Sequence, residues 1–145
     1  MAIINQLISL ETKSRIEIYN ITPEIVTHLE ASQILNGQVL IFSRHTTTAL
    51  VINEDEERLL EDVKVHLEKI APPGAKYLHN DLHLRDVPPD EPMNAHSHLM
   101  AMMLSTSEVV PVVEGKLSLG TWQSILFLEL DGPRTRHVSI QIMGE

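Results

Sequence analysis

The feature that most constrains the fold is the placement of β-rich segments at both ends of the chain. Residues 107–143, SEVVPVVEGKLSLGTWQSILFLELDGPRTRHVSIQIM, predict four strands with turns at EGK and DGPR. Near the start, IINQLISLET and RIEIYNI predict two more strands, joined as a hairpin through TKS. Strands that flank helices without regular βαβ alternation predict an α+β fold with mainly antiparallel sheet. The length of 145 residues is that of one domain, so we expect a single domain over residues 1–145.

Helical patterns lie between the two β-rich regions. TPEIVTHLEASQILNG predicts a helix with Thr22 as N-cap and Pro23 at the first helical position. NEDEERLLEDVKVHLEKIAPP predicts an amphipathic helix with Asn53 as N-cap and Glu56 in the capping-box position. AHSHLMAMMLS predicts a short third helix.

Two segments between these helices are less regular. QVLIFSRHTTTALVIN predicts one long strand or two strands joined near the threonines, because it is β-branched and has no helical period. Residues 74–94 have no periodicity, and a loop of this length inside a domain is usually either functional or disordered.

The composition excludes several classes of partner and site. Twenty acidic residues against eleven basic ones give a net charge of -9, and the basic residues are scattered, so we expect no nucleic-acid binding. No cationic segment precedes a long apolar run, and no segment approaches the roughly 18 apolar residues of a membrane span. We therefore expect a cytosolic protein without a membrane partner. Because cysteine is absent, a transition metal would need histidine and carboxylate ligands.

Three histidines are candidates for a polar site. His96 and His98 lie in NAHSHL, where a short helix is predicted to begin. Residues two positions apart on a helix point about 200° apart. The two histidines are therefore either solvent-exposed or part of a site that lies beyond the end of the helix. His45 follows an apolar strand and is either a hydrogen-bonded strand-end residue or a ligand. His79 and His83 have the i, i+4 spacing of a helical metal pair, but they lie in the predicted loop. The sequence leaves open whether that loop covers the site.

The turn ELDGPRTR offers a candidate anion site. Arg134 and Arg136 are two residues apart, so on a strand their side chains lie on the same face. They can either clamp a phosphate or carboxylate together or form a salt-bridged hairpin with Glu129 and Asp131. The single tryptophan, Trp122, is either a core anchor or a stacking wall for a flat ring.

Four segments together carry a resemblance to a known family: HTTTALVINEDE, YLHND, NAHSHLMAMML and GKLSLGTWQSILFLELDGPRTRHVSIQI. Their order and spacing, from about residue 15 to residue 142, resemble those of the YjbQ-like proteins, the secondary thiamine-phosphate synthase enzyme family. Ser97 stands in NAHSH where many relatives have alanine.

The resemblance implies two packed, mainly antiparallel β-sheets in a sandwich with flanking helices, assembled as a homotrimer. It also implies a divalent metal near subunit boundaries, with zinc favoured by histidine ligands and magnesium as the other candidate. The implied metal ligands are His45, His96 and His98; the implied catalytic residues are His45, Asn53, Glu54, Gln123, Arg134 and Arg136; and the implied substrate-binding residues are Trp122, Arg134 and Arg136.

The implied activity is a weak thiamine-phosphate synthase reaction on small anionic substrates. A pyrimidine-methyl diphosphate is joined to a thiazole phosphate with loss of pyrophosphate, which requires cationic groups for the leaving group rather than a strong base. Three histidines are also typical of zinc sites that activate water. The alternatives are therefore a zinc-dependent hydrolase or lyase acting on a small phosphorylated or carboxylated metabolite, and a trimeric metal-binding or anion-binding protein without catalysis.

Overall fold

The computed structural model describes residues 1–145, which form two antiparallel β-sheets and three α-helices. This confirms the predicted α+β fold. The helices are α1 (Thr22–Ser32), α2 (Glu57–Ile70) and α3 (Ala95–Met102). The strands are β1 (Ala2–Glu11), β2 (Glu17–Asn20), β3 (Gly37–Ser43), β4 (Thr48–Asn53), β5 (Ser107–Val113), β6 (Lys116–Leu117), β7 (Ser124–Glu129) and β8 (Thr135–Gly144).

The two sheets pack face to face around one apolar core. The larger has the strand order β1-β8-β3-β5-β6, and the smaller has the order β2-β7-β4. Ile41 and Ile140 of the first sheet and Leu50 and Phe127 of the second are fully or almost fully buried in the same core cluster. Removing such apolar surface from water is the main stabilising contribution to a fold of this kind.

The strands near the start of the chain do not form the predicted hairpin. β1 pairs with β8, whereas β2 pairs with β7 in the other sheet. At the crossing, the Thr12 hydroxyl donates to Glu129 Oε2 at 2.8 Å and accepts from the Arg134 backbone N–H at 2.9 Å. The hairpin prediction is wrong because partners more than one hundred residues away take the ladder positions.

Three other local predictions are settled by the same pairing. The segment after α1 forms two strands, β3 and β4, which lie in different sheets. Asn53 closes β4 opposite Ser124, so it is not the N-cap of α2; Glu56 is, and its carboxylate accepts from the Leu59 N–H at 3.0 Å. The N-cap of α1 is Ile21 rather than Thr22, one residue earlier than predicted, because the Thr22 hydroxyl accepts from the Ile125 N–H.

The helices cover unequal parts of the sheets. α1 buries Ile25 and Leu29 in the core, while α2 and α3 pack Leu67 and Met100 against β4 and β7. The outward side of the larger sheet keeps large apolar side chains exposed, and we call it the outer apolar face: Ile3, Leu7, Phe42, Val109 and Val113. None of the three helices combines the length and apolar character needed to cross a bilayer.

Candidate functional site

A polar cleft of about 460 Å³ lies where the β3–β4 connection, the β7–β8 turn and the start of α3 meet. Pro92 is the only lining residue without a polar side chain. The lining residues are Arg44, His45, Thr46, Thr47, Glu91, Pro92, Asn94, His98, Asp131, Arg134 and Arg136. Four predicted site residues, two histidines and two arginines, therefore share one cleft.

The innermost group of the cleft is a buried ion pair. Arg136, only 4% exposed, donates from Nε and Nη2 to the two carboxylate oxygens of Glu129, each at 2.6 Å. Nη2 also donates to Thr47 Oγ1 at 2.8 Å, and Glu129 accepts further bonds from Thr12 and from the Asp131 N–H. A buried pair is stable only when its remaining donors and acceptors are satisfied in this way. Arg136 Nη1 has no acceptor within the chain.

A second ion pair lies at the rim of the cleft. Arg134 donates from Nη2 to Asp131 Oδ2 at 2.9 Å and from Nε to the Asp131 carbonyl at 2.8 Å. Asn94 Nδ2 donates to the same Oδ2 atom at 2.7 Å. Both arginines of the turn are thus ion-paired. The turn itself is not a hairpin, because β7 and β8 belong to different sheets and the turn connects them as a crossover.

His45 is held at the wall of the cleft by the backbone. Its Nε2 atom accepts a hydrogen bond from the His137 N–H at 2.7 Å, and the two rings stack with centroids 6.1 Å apart. Burial, together with the positive charge of Arg136, lowers the pKa of His45 below its ordinary value of 6.5. The imidazole is therefore neutral near pH 7.

His96 and His98 point to different sides of α3, as helical geometry requires for residues two apart. His98 lines the cleft and contacts the ring of His79 edge-on, with centroids 4.8 Å apart. His96 is absent from the cleft, and its Nε2 lies 3.3 Å from Arg15 Nη2. Burial lowers the pKa of both residues, assisted by His79 for His98 and by Arg15 for His96.

The three histidines implied as metal ligands do not form one site within the chain. The Nε2 lone pair of His45 is already used by a backbone N–H, and a guanidinium stands beside His96. A cation at His96 would be repelled by that guanidinium. No group of three or more His, Cys, Asp or Glu side chains is arranged to hold a metal ion. These residues do not fit a three-histidine zinc centre in a single chain.

The other implied residues lie at the opposite end of the smaller sheet. Asn53 pairs with Ser124 in the β4–β7 ladder, whereas the cleft lies at its Thr48–Glu129 end. Five residues along a strand span about 17 Å. Glu54 and Asn53 instead line a largely apolar cavity of about 600 Å³ beneath α2.

Trp122 and Gln123 belong to that distant end as well. Trp122 is 73% exposed, so it is not a core anchor, and Gln123 Oε1 accepts from the Gly120 N–H at 2.8 Å. Within one chain, the four residues Asn53, Glu54, Trp122 and Gln123 are not neighbours of the cleft.

Seven residues of the cleft are not among the predicted catalytic, binding or metal residues: Arg44, Thr46, Thr47, Glu91, Pro92, Asn94 and Asp131. A usable signal existed for Asn94, since it precedes His98 by four residues at the start of a predicted helix. Arg44, Thr47 and Glu91 lie in irregular connections, where periodicity gives no information.

Comparison with known proteins identifies the family. A family model described as UPF0047 protein YjbQ-like matches residues 6–145. The chain belongs to this family. A UPF0047 protein of Methanothermobacter thermautotrophicus is 43% identical over 145 residues, covering 100% of this chain and 95% of that protein. A UPF0047 protein of Archaeoglobus fulgidus is 47% identical over 136 residues, covering 94% of this chain and 98% of that protein.

The UPF0047 YjbQ-like fold is also found in solved structures. A YbjQ-like protein of unknown function from Sulfolobus solfataricus superposes with a TM-score of 0.89 at 39% identity, covering 99% of each chain. The resemblance to the YjbQ-like proteins is thereby confirmed at the level of family and fold.

Proposed function

We propose that the polar cleft binds the anionic end of a small phosphorylated metabolite and that the protein is an enzyme with thiamine-phosphate synthase activity. The observation that carries this proposal is the convergence of three arginines and two neutral histidines in a cleft whose lining is polar except for Pro92. The cleft lining carries three arginines against two carboxylates, Glu91 and Asp131, so in a chain of net charge -9 the cleft has a local excess of positive charge that attracts an anion.

The arginines have donors to spare for a ligand. Arg44 is exposed and forms no salt bridge. The Nη1 atoms of Arg134 and Arg136 make no hydrogen bond within the chain, while their other nitrogens are fixed by Asp131 and Glu129. Donors held in place before the reaction need no reorganisation when negative charge develops, which is the main requirement for a departing diphosphate.

The proposed reaction forms one bond and breaks one. The thiazole ring nitrogen attacks the methylene carbon of the pyrimidine-methyl diphosphate, and the carbon–oxygen bond to the diphosphate breaks with its electron pair on the leaving oxygen. Pyrophosphate departs with that charge. The arginines Arg44, Arg134 and Arg136 would neutralise it, and the nucleophilic nitrogen needs no general base.

We further propose that the protein is a homotrimer in which a neighbouring subunit completes the site. Support comes from the outer apolar face, where Phe42 is 44% and Val109 51% exposed. Large exposed apolar side chains that share one face of a sheet favour a protein interface there. A second support is that Asn53, Glu54, Trp122 and Gln123 lie far from the cleft of their own chain. In a trimer, a neighbouring subunit would supply these four residues to the cleft.

The test is a turnover assay with the purified protein, the pyrimidine-methyl diphosphate and the thiazole phosphate, with chromatographic detection of thiamine phosphate. Arg44→Gln and Arg134→Gln are expected to raise KM for the diphosphate by about tenfold or more. Lys116→Gln removes the same charge from a distant strand and should leave KM unchanged. Wild-type KM values in both arginine variants would contradict the assignment of the cleft.

Hydrolysis of a small phosphorylated metabolite is the second candidate function. His98 favours it, because it lines the cleft and burial lowers its pKa, whereas the Nε2 lone pair of His45 is already used by the His137 N–H. A neutral imidazole can accept a proton from an attacking water. Release of inorganic phosphate from phosphomonoesters, without formation of thiamine phosphate, would favour this candidate. Binding of phosphate without either turnover would favour a non-catalytic binding protein.

A further inference from the structure

The unsatisfied buried polar atoms of the chain are concentrated at one place. Three side-chain atoms are buried without a hydrogen-bond partner: His79 Nε2, Asn94 Oδ1 and His96 Nδ1. All three belong to the start of α3 or to the segment packed against it. An unsatisfied buried polar atom costs about 1–3 kcal/mol, so such atoms are rare unless a ligand, ion or water uses them.

Two of these atoms belong to residues that lie beside His98. Asn94 and His98 are one helical turn apart, which places their side chains on the same side of α3, and both line the cleft. The His79 ring contacts the His98 ring edge-on at 4.8 Å between centroids. His96 lies on the other side of the helix, beside Arg15.

The orientation of the Asn94 amide follows from its neighbour. Asp131 Oδ2 is a carboxylate oxygen that also accepts from Arg134, so the Asn94 atom 2.7 Å away must be the NH₂ group. The other amide atom, Oδ1, is therefore an acceptor without a donor. Carbonyl oxygen and imidazole nitrogen are both metal ligands.

The segment that carries His79 is fixed against α3. Arg85 Nη1 donates to the His79 carbonyl at 2.8 Å, and Asn80 Oδ1 accepts from the Ala95 N–H at 3.1 Å. The first bond lies within the segment and braces the 3₁₀ turn Leu78–Asn80, and the second holds that turn at the start of α3. The contact of His79 with His98 is thus a feature of the packed structure rather than of a free loop.

We propose that His79, His98 and Asn94 Oδ1 bind one first-row transition-metal ion at the wall of the polar cleft. The two imidazoles favour zinc or another first-row transition metal, whereas magnesium prefers oxygen ligands alone. The ligand set differs from the one that the family resemblance implies, since it contains His79 and excludes His45 and His96. It does not depend on the proposed reaction, because metal binding is measured without substrate.

The test uses protein stripped with EDTA and freed of chelator, titrated with Co²⁺ by visible absorption and with Zn²⁺ by calorimetry. One ion per chain is expected. His79→Ala and His98→Ala should each weaken binding by more than about tenfold, since even outer-shell partners of a metal contribute that much. His83→Ala is the matched control, because His83 is exposed on the same segment and should bind as the wild type.

Two results would overturn the proposal. One is the absence of Co²⁺ and Zn²⁺ binding by the wild type. The other is wild-type affinity in His79→Ala accompanied by loss in His96→Gln or His45→Gln, which would favour the three-histidine set instead. Because a variant can misfold, Zn²⁺ is also added to the wild type while imidazole signals are followed by NMR. The signals of His79 and His98 should shift, and those of His83 should not.

Discussion

Arg136 and Glu129 form a buried ion pair that links the two sheets. Arg136 lies in β8 of the larger sheet, Glu129 ends β7 of the smaller one, and two bonds of 2.6 Å join them. The pair also forms the floor of the polar cleft, because Arg136 lines it. The same contact therefore supports both the packing of the sheets and the proposed anion site.

Removing one partner of this pair should destabilise the protein strongly. Glu129→Gln leaves the Arg136 guanidinium buried without a counter-charge, and breaking a buried pair in this way costs about 3–5 kcal/mol. Arg134→Gln breaks the more exposed Arg134–Asp131 pair and should cost less than about 1 kcal/mol. Urea unfolding followed by circular dichroism measures both. Equal losses in the two variants would contradict the special role given to the buried pair.

The outer apolar face should carry the subunit contact. The chain mass is 16.3 kDa, so a homotrimer has three times that mass in light scattering coupled to size exclusion. Phe42→Asp places a charge on the face, and burying an unpaired carboxylate is costly enough to favour dissociation to monomers. Val65→Asp, a similarly exposed site on α2, should leave the assembly intact. A monomeric wild type, or a trimeric Phe42→Asp, would refute the interface.

Much of the fold is predictable from local patterns, but the strand partners are not. The four strands after residue 106 and the helix α3 follow from alternation, turn residues and helical spacing. The partners of β1 and β2 depend on residues more than one hundred positions away, which no local rule contains. The start of α2 was predicted three residues too early, because Asn53 with Glu56 matches the capping-box pattern and only the β4–β7 ladder places Asn53 in a strand.

The site was predictable to a similar extent. The acids and arginines of the β7–β8 turn are close in sequence, so spacing alone predicted either salt bridges between them or an anion clamp formed by the two arginines. The salt bridges are present in the structure. The opposed directions of His96 and His98 followed from helical geometry. The contact between His79 and His98 was not predictable, since the loop between them has no periodicity and is tied to α3 by the hydrogen bond from the Ala95 N–H to Asn80 Oδ1.

The neutral state of His45 predicts a pH dependence of stability. Its pKa is lowered in the folded protein, so between that value and 6.5 the unfolded chain binds more protons than the folded one. The free energy of unfolding therefore rises with pH in this window. The stabilising contribution of neutral His45 is fully present above pH 6.5 and is lost as the pH falls through the folded-state pKa. The groups that face this imidazole are Arg136, His137, Glu129 and Arg44.

His45→Gln tests that dependence. The glutamine amide oxygen can accept from the His137 N–H in place of Nε2 but does not titrate. When the pH is lowered from about 7.5 to 5.5, the free energy of unfolding of the variant should fall less than that of the wild type. Urea unfolding in the presence of EDTA measures this difference. An unchanged pH slope in the variant would mean that protonation of His45 does not contribute.

Gly132 in the β7–β8 turn should be intolerant of a side chain. A Cβ atom there would lie 2.2 Å from the Ser14 carbonyl oxygen and 2.8 Å from Glu129 Cγ, so either the crossing segment or the buried ion pair must shift. Overpacking of this kind costs about 1–3 kcal/mol. Gly132→Ala should therefore lower stability and also weaken phosphate binding by the cleft, as followed by urea unfolding and calorimetry. Gly74→Ala, where a Cβ meets nothing within 4 Å, is the control and should change neither. Retention of wild-type stability by Gly132→Ala would show that the turn can move without disturbing Glu129 and Arg136.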